Sequence, residues 1–480
     1  SYYTKQTPMT DKNIIIVLEI GSSALRAAAA EVKDNSVSVI DAVTEPLDQC
    51  VRIGRILNVE DVTNAARRSL DALEACSALE KRKIQAAYIA VGGRSLEASY
   101  AEASLAFQDE NEISQKVLDL LTDEACKSIP DNREILDILP RKFIVNGMDT
   151  KRPRGNLAKN VTAQYSIIHC NLRNLRNIET VINERLCLDS KYITRPLAEA
   201  EMALSEREIK GGCMLVDFGA ETTTVSIYKD GVLQYLATVP LGSEAITCDL
   251  ASVLSVTDEQ ARDIKERMAD VTAENQENAR INIINETVRG RAMQIIANIL
   301  KQIEFAGFEN KDLAGGIVVT GGGSLLRHFV QCLEKYARMP VRPAEVSGVQ
   351  ANDNTLVSSA YFPLMASIAE AARCARLLDP LECLQEPVVT STTDTDVNTG
   401  FGVEGNGRGF NNGGRGVEAP AGHNHVDDDI EDDPESTGPH NGPHEPKTIR
   451  PSKFAAFKSK VSDLFNKAMS GPDDADDNMV

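Results

Sequence analysis

Residues 215–228 read LVDFGAETTTVSIY: a strand, a tight turn and a second strand, with Asp217 near the end of the first and threonines after the turn. Such a turn suits a phosphate, because backbone N–H groups and hydroxyls converge on one point. Glu221, however, stands where a phosphate-cradling loop wants bare backbone. Facing the site at about 4 Å, its charge would cost roughly 4 kcal/mol at an effective dielectric near 20.

The stretch has a copy about 200 residues earlier. IIIVLEI (14–20), LRAAAAEV (25–32) and SVSVIDAV (36–43) read as three strands joined by GSSA and KDN turns. CMLVDFG (213–219), TTVSIYK (223–229) and VLQYLATVPLG (232–242) repeat that order. Glu19-Ile20-Gly21-Ser22-Ser23 pairs with Asp217-Phe218-Gly219, then Ala-Glu as an insertion, then Thr222-Thr223. A repeat this long predicts two related domains facing each other, with both acid-Gly turns at a shared cleft.

Around the two meanders the chain alternates strand and helix. VEDVTNAARRSLDALEACSAL (59–79) has apolar residues at helical spacing, and IQAAYIAVGG (84–93) reads as a buried strand ending in glycines. Residues 257–312 read as mostly helical. GGIVVTGGGSLL (315–326) reads as a strand entering a glycine turn and a helix, and 358–378 as a last helix.

Composition bounds the function. At 480 residues, 42% hydrophobic and 25% charged, the chain has room for two or three domains. It contains no apolar run of the ~18–20 residues that span a bilayer, and its first residues carry no secretory pattern, so a cytoplasmic protein is expected. The ten cysteines are scattered, with no CxxC, and read as buried apolar residues in a reducing compartment, not as disulfides or a zinc site. A net charge of −20 argues against nucleic acid. From Glu386 onward, 18 acidic against 8 basic side chains carry half of that excess.

Residues 385–452 are rich in Gly, Asn, Pro and Asp and poor in large apolar groups, which predicts a disordered tether. Its histidines at 423, 425, 440 and 444 read as polar linker residues. Beyond it, KFAAFKSKVSDLFNKAM (453–469) places Phe454, Phe457, Val461, Leu464 and Phe465 on one helical face, with Lys458 and three other lysines on the rest. A basic amphipathic helix on a tether predicts a peripheral anchor on anionic membrane lipid. A helix docked on a partner is the alternative.

Three turns bear on a nucleotide. In EIGSS, Gly21, Ser22 and Ser23 can hold phosphate oxygens while Glu19 faces a magnesium hydration shell. In DFGAETT, Asp217 does the same from the other side, with Gly219, Thr222 and Thr223 donating hydrogen bonds. In VVTGGGSLL, Gly321, Gly322 and Gly323 let backbone approach an adenosine, with a helix N-terminus beyond them.

At these residues the chain resembles the actin-like ATPases, α/β proteins that bind ATP between two duplicated domains. Within them it resembles the bacterial cell-division FtsA family, over roughly residues 14–384 plus 450–469. The segments 52–70 and VPLGSEAITCDLA (239–251), with ARDIK (261–265), share that likeness. The resemblance implies an actin-like fold with an FtsA-type inserted subdomain, a tether and a C-terminal amphipathic helix. The implied subdomains are 14–83 with 168–200 and 350–384; the insert 84–167; 201–245 with 313–349; and a helical outer part, 246–312, on the adenine side.

The resemblance further implies ATP and Mg2+, with Gly242 and Lys265 among the nucleotide contacts. It implies self-association into filaments, other division proteins as partners, and the FtsZ C-terminal tail, met by Arg291, at the cytoplasmic side of the inner membrane. Two departures point to slow or absent hydrolysis. Ala24 stands where the family's first turn carries a lysine, and Ala220-Glu221 replaces two glycines. The alternatives are a pilus-assembly adaptor of the PilM kind and a sugar or acetate kinase of the same superfamily.

Overall fold

The computed structural model describes residues 14–34, 36–272, 278–377 and 380–385. The expected tether and the amphipathic helix, with Phe454, Phe457, Lys458, Val461, Leu464 and Phe465, lie outside the described residues.

Two five-stranded sheets share one topology. In the first, strand Ile14–Ile20 pairs antiparallel with Ala24–Val32, which pairs antiparallel with Val37–Pro46. On its other side Ile14–Ile20 pairs parallel with Ala86–Val91, and that strand pairs parallel with Asp189–Thr194. The second sheet repeats this around Cys213–Phe218, with Thr223–Lys229 and Val232–Val239 antiparallel on one side. Ile317–Thr320 and Val341–Pro343 run parallel on the other. The central strands are continuous apolar runs because both of their faces are buried. Along Cys213–Phe218 the alternation is visible. Cys213 and Leu215 pack into the core shared with the first sheet, whereas Met214, Val216 and Phe218 enter a separate core with Ile295 and Phe329.

Local signals set the helix starts. Asn58 accepts from the N–H groups of Glu60 and Asp61 to cap Val59–Glu74. Thr257 and Gln260 form a reciprocal capping box at Asp258–Met268. Helix Phe362–Leu377 packs on the alanine-rich strand Ala24–Val32 and its neighbour.

An outer unit interrupts the first domain. Strands Glu97–Glu112, Leu157–Asn171, Arg133–Val145 and Met148–Thr150 form a four-stranded sheet in that spatial order, backed by helix Gln115–Cys126. Its core centres on Tyr165, edge-on to Phe143 with ring centroids 6.4 Å apart. The boundary differs from the expected 84–167: residues 86–91 pair inside the first sheet, and the outer sheet runs from 97 to 171. An apolar run flanked by glycines fits a central strand of either unit, so its pairing is invisible locally. The second domain carries its extra elements at a different place, as helices between its third and fourth strands, chiefly Glu244–Leu254, Asp258–Met268 and Ala279–Phe305, whereas the outer unit follows the fourth strand of the first domain.

Candidate functional site

The two acid-Gly turns are of equal length. Gly21 N–H donates to the Ala24 carbonyl at 3.0 Å, and Gly219 N–H donates to the Thr222 carbonyl at 2.9 Å. The flanking registers agree, with Ile20 opposite Leu25 and Phe218 opposite Thr223. Ser22 therefore corresponds to Ala220 and Ser23 to Glu221, which corrects the pairing that treats Ala220-Glu221 as an insertion. Side-chain likeness aligned hydroxyl with hydroxyl; the strand ladder aligns backbone with backbone.

Both turns line one cavity of about 620 Å3. Glu19, Gly21, Ser22 and Ser23 come from the first sheet; Asp217, Gly219, Ala220 and Thr222 come from the second. Gly321, Gly322 and Gly323 form the third wall, and Ser243, Glu244 and Lys265 lie on the helical side. Gly321 has φ +86°, and a Cβ there would meet the Phe218 carbonyl at 2.4 Å and Asp217 Oδ1 at 2.5 Å. The third turn thus passes bare backbone over the second acid. Beyond it runs a 3-10 turn, Gly322–Leu325, and the α-helix starts only at Phe329. The helix N-terminus expected beyond the glycines thus lies at Phe329, after the 3-10 turn.

Two expected contacts lie outside the lining. Thr223 is buried, its Oγ1 donating to the Leu241 carbonyl at 2.7 Å. Gly242 lies behind the second turn, where a Cβ would fall 2.2 Å from the Ala220 carbonyl oxygen. Its smallness lets the chain pass the turn; it is support, not lining. Glu221 also turns away. Its carboxylate accepts from Ile53 N–H and pairs with Arg52 Nε at 3.2 Å. The charge feared at the phosphates instead clasps the ladder Val51–Arg52/Arg55–Ile56 of the other domain. Ser22 Oγ accepts from Gly54 N–H at 2.9 Å, so both turns hold that ladder.

Sequence reasoning missed the group at the centre of the cleft. Arg195 opens helix Arg195–Ala203 and is buried at the cavity floor. Its Nη1 donates to Glu19 Oε1 at 3.2 Å and its Nη2 to Asp217 Oδ2 at 2.7 Å, joining the two turn acids. Its Nε lies 3.1 Å from Glu199 Oε1, out of hydrogen-bond alignment. Arg26, opposite Glu19 across the hairpin, reaches Glu19 Oε2 at 3.4 Å. Burial opposes the charge of Arg195, yet Asp217, Glu199 and Glu19 together hold it above its ordinary pKa. Burial raises Asp217 against the downward pull of Arg195, and raises Glu199 well above the carboxylate range.

A signal for Arg195 did exist. The first turn of a helix disfavours a cation, so an arginine at the start of RPLAEAEMA requires strong acidic partners; Glu199 one turn on is one of them. On the helical side, Lys265 Nζ donates to the Ser243 carbonyl at 3.3 Å and to Thr247 Oγ1 at 2.8 Å. Burial lowers its pKa, opposed by Glu244. Glu244 is itself paired with Arg262 at 2.8 Å. Arg291 lies on helix Ala279–Phe305, away from the cavity lining, with Nε and Nη2 on the two oxygens of Asp249 at 2.7 and 2.8 Å. All ten cysteines are free thiols.

This arrangement has relatives. The family model "Cell division protein FtsA" matches residues 214–363, and "SHS2 domain inserted in FTSA" matches 93–169, the outer four-stranded unit. The chain matches the FtsA family in its second domain and in its outer unit. The cell division protein FtsA of Porphyromonas gingivalis is 28% identical over 352 residues, covering 69% of this chain and 72% of the relative. That of Bacillus subtilis is 23% identical over 410 residues, covering 80% and 91%. Among solved structures, a PilM–PilN type IV pilus biogenesis complex covers 75% of this chain and 98% of its own, with TM-score 0.53 and 14% identity. That last likeness concerns the fold alone. The fold is actin-like, and the chain is an actin-like division protein.

Proposed function

We propose that this chain binds ATP between its duplicated domains, hydrolyses it slowly or not at all, and tethers division filaments to the cytoplasmic face of the membrane. The observation that carries the nucleotide reading is the convergence of Gly21, Gly219 and Gly321 on one cavity, from two sheets of the same topology. Phosphoryl transfer to an acceptor needs a free general base in the cleft. Three of the four lining carboxylates, Glu19, Asp217 and Glu244, pair with an arginine, and the fourth, Glu266, belongs to helix Asp258–Met268 and to neither acid-Gly turn, which favours an adaptor over a sugar or acetate kinase.

The tethering half rests on residues 453–469. Phenylalanine and leucine on one face and lysine on the rest bind an anionic surface weakly per copy, and filament assembly multiplies such contacts into avidity. Arg291, held in place by Asp249, is the proposed contact for the FtsZ C-terminal tail. The test is co-sedimentation of FtsZ polymers with anionic liposomes, using the full chain and a chain ending at residue 449. The full chain brings FtsZ down with the lipid and the shortened one does not. Equal pelleting would remove the anchor from the reading.

A further inference from the structure

The fold implies a divalent cation beside the phosphates, and Glu19 and Asp217 are the acids positioned to face one. Their surroundings do not fit it. A hydrated magnesium is held through carboxylates whose charge is otherwise unspent. Here a guanidinium fork bridges the two acids, with Nη1 on Glu19 at 3.2 Å and Nη2 on Asp217 at 2.7 Å. The second oxygen of Glu19 faces Arg26 at 3.4 Å, and Asp217 Oδ1 lies against the bare backbone of Gly321. Of the four carboxylates that line the cavity, Glu19, Asp217 and Glu244 are paired with arginines. Among the described residues no cluster of three or more Asp, Glu, His or Cys could hold a metal ion.

The fork is built in. Gly92 faces it, and a Cβ there would fall 2.9 Å from Arg195 Cζ and 3.0 Å from Nη2, so a side chain at 92 would displace the guanidinium from its place. Glu199, one turn along the same helix, fixes it from behind. Arg195 still lines the cavity floor between the two turns.

We propose that Arg195 is the resident cation of this cleft, and that the β- and γ-phosphates of a nucleoside triphosphate bind over its guanidinium without a divalent metal. This deepens the nucleotide reading and rests on it. A planar, permanently charged fork suits phosphate oxygens. With Glu19 and Asp217 already neutralised, a second, divalent charge at the same place meets repulsion instead of a carboxylate pair.

The experiment is calorimetric titration of the full chain with ATP, once in magnesium and once in excess EDTA. The expected dissociation constants agree within about threefold. Weakening of about tenfold or more in EDTA overturns the inference and leaves nucleotide binding standing. No ATP bound in either buffer overturns the nucleotide reading, and this inference with it. Arg195→Gln gives a second readout: it frees the two acids, so binding falls in EDTA and is restored by magnesium. Variant binding that stays indifferent to magnesium overturns the inference. Should that variant not fold, the two wild-type titrations decide alone.

Discussion

The two halves of the cleft were made from one plan and have diverged in their side chains. Both turns have the same length and the same closing hydrogen bond, from Gly21 to Ala24 and from Gly219 to Thr222. They differ where Ser22 and Ser23 in one stand against Ala220 and Glu221 in the other. The first turn holds the 51–56 ladder of its own domain through a hydroxyl; the second reaches across and holds it with a carboxylate. Behind them the acids differ too. Glu19 is shared by Arg26 and Arg195, while Asp217 bonds Arg195 and takes the bare Gly321 backbone on its other side. Backbone geometry is what duplication retained; side-chain charge is what changed.

The largest expected effect comes from removing what joins the halves. Arg195→Leu leaves Glu19, Asp217 and Glu199 buried without their cation, and should destabilise the fold by about 3–5 kcal/mol in denaturant unfolding. A loss near zero would mean the halves are not joined through this residue. Next, Gly21→Ala and Gly219→Ala place a Cβ 2.9 and 3.0 Å from equivalent carbonyl oxygens. Each should cost about 1–3 kcal/mol, and the two should match. A clear inequality would break the equivalence of the turns.

Breaking the clasps separates their roles. Glu221→Ala should cost about 1–2 kcal/mol, less than a fully buried charge would, because Arg52 is half exposed. It should speed hydrogen exchange at the Ile53 amide; Ser22→Ala should speed exchange at Gly54 by a smaller factor. Because Glu221 turns away from the cavity, Glu221→Ala should leave ATP affinity unchanged.

The last effect is on pH dependence. Burial raises Glu199 above its unfolded value, so the stability it contributes is complete at low pH and is lost as pH rises through the folded pKa. Glu199→Gln should flatten stability between the ordinary carboxylate range and neutrality. The change is bounded by one proton, about 1.4 kcal/mol per pH unit.

Much of this fold was legible because it rests on period and repetition. The buried runs 14–19 and 213–218, each leading into acid-x-Gly at its end, announce two copies of one meander. The cleft follows from them. What escaped reading was pairing at a distance. Strand 86–91 carries no mark of which sheet it joins, and nothing near Glu221 points to Arg52 and Ile53, some 170 residues earlier. Thr223 looked like a contact because its hydroxyl suits a phosphate, and Gly242 because the family resemblance implied it; Thr223 instead bonds the Leu241 carbonyl and Gly242 sits behind the loop. Arg195 was legible only as an anomaly of helix electrostatics, since its partners come from 176 residues upstream and 22 downstream.

The central claim is that both turns close on one nucleotide. Hydrogen exchange of the full chain, with and without saturating ATP, tests it directly. The account predicts protection of the Gly21–Ser23 amides and of the Gly219–Thr222 amides together, at the same ATP concentration. Protection of one turn alone, or of neither, would contradict it.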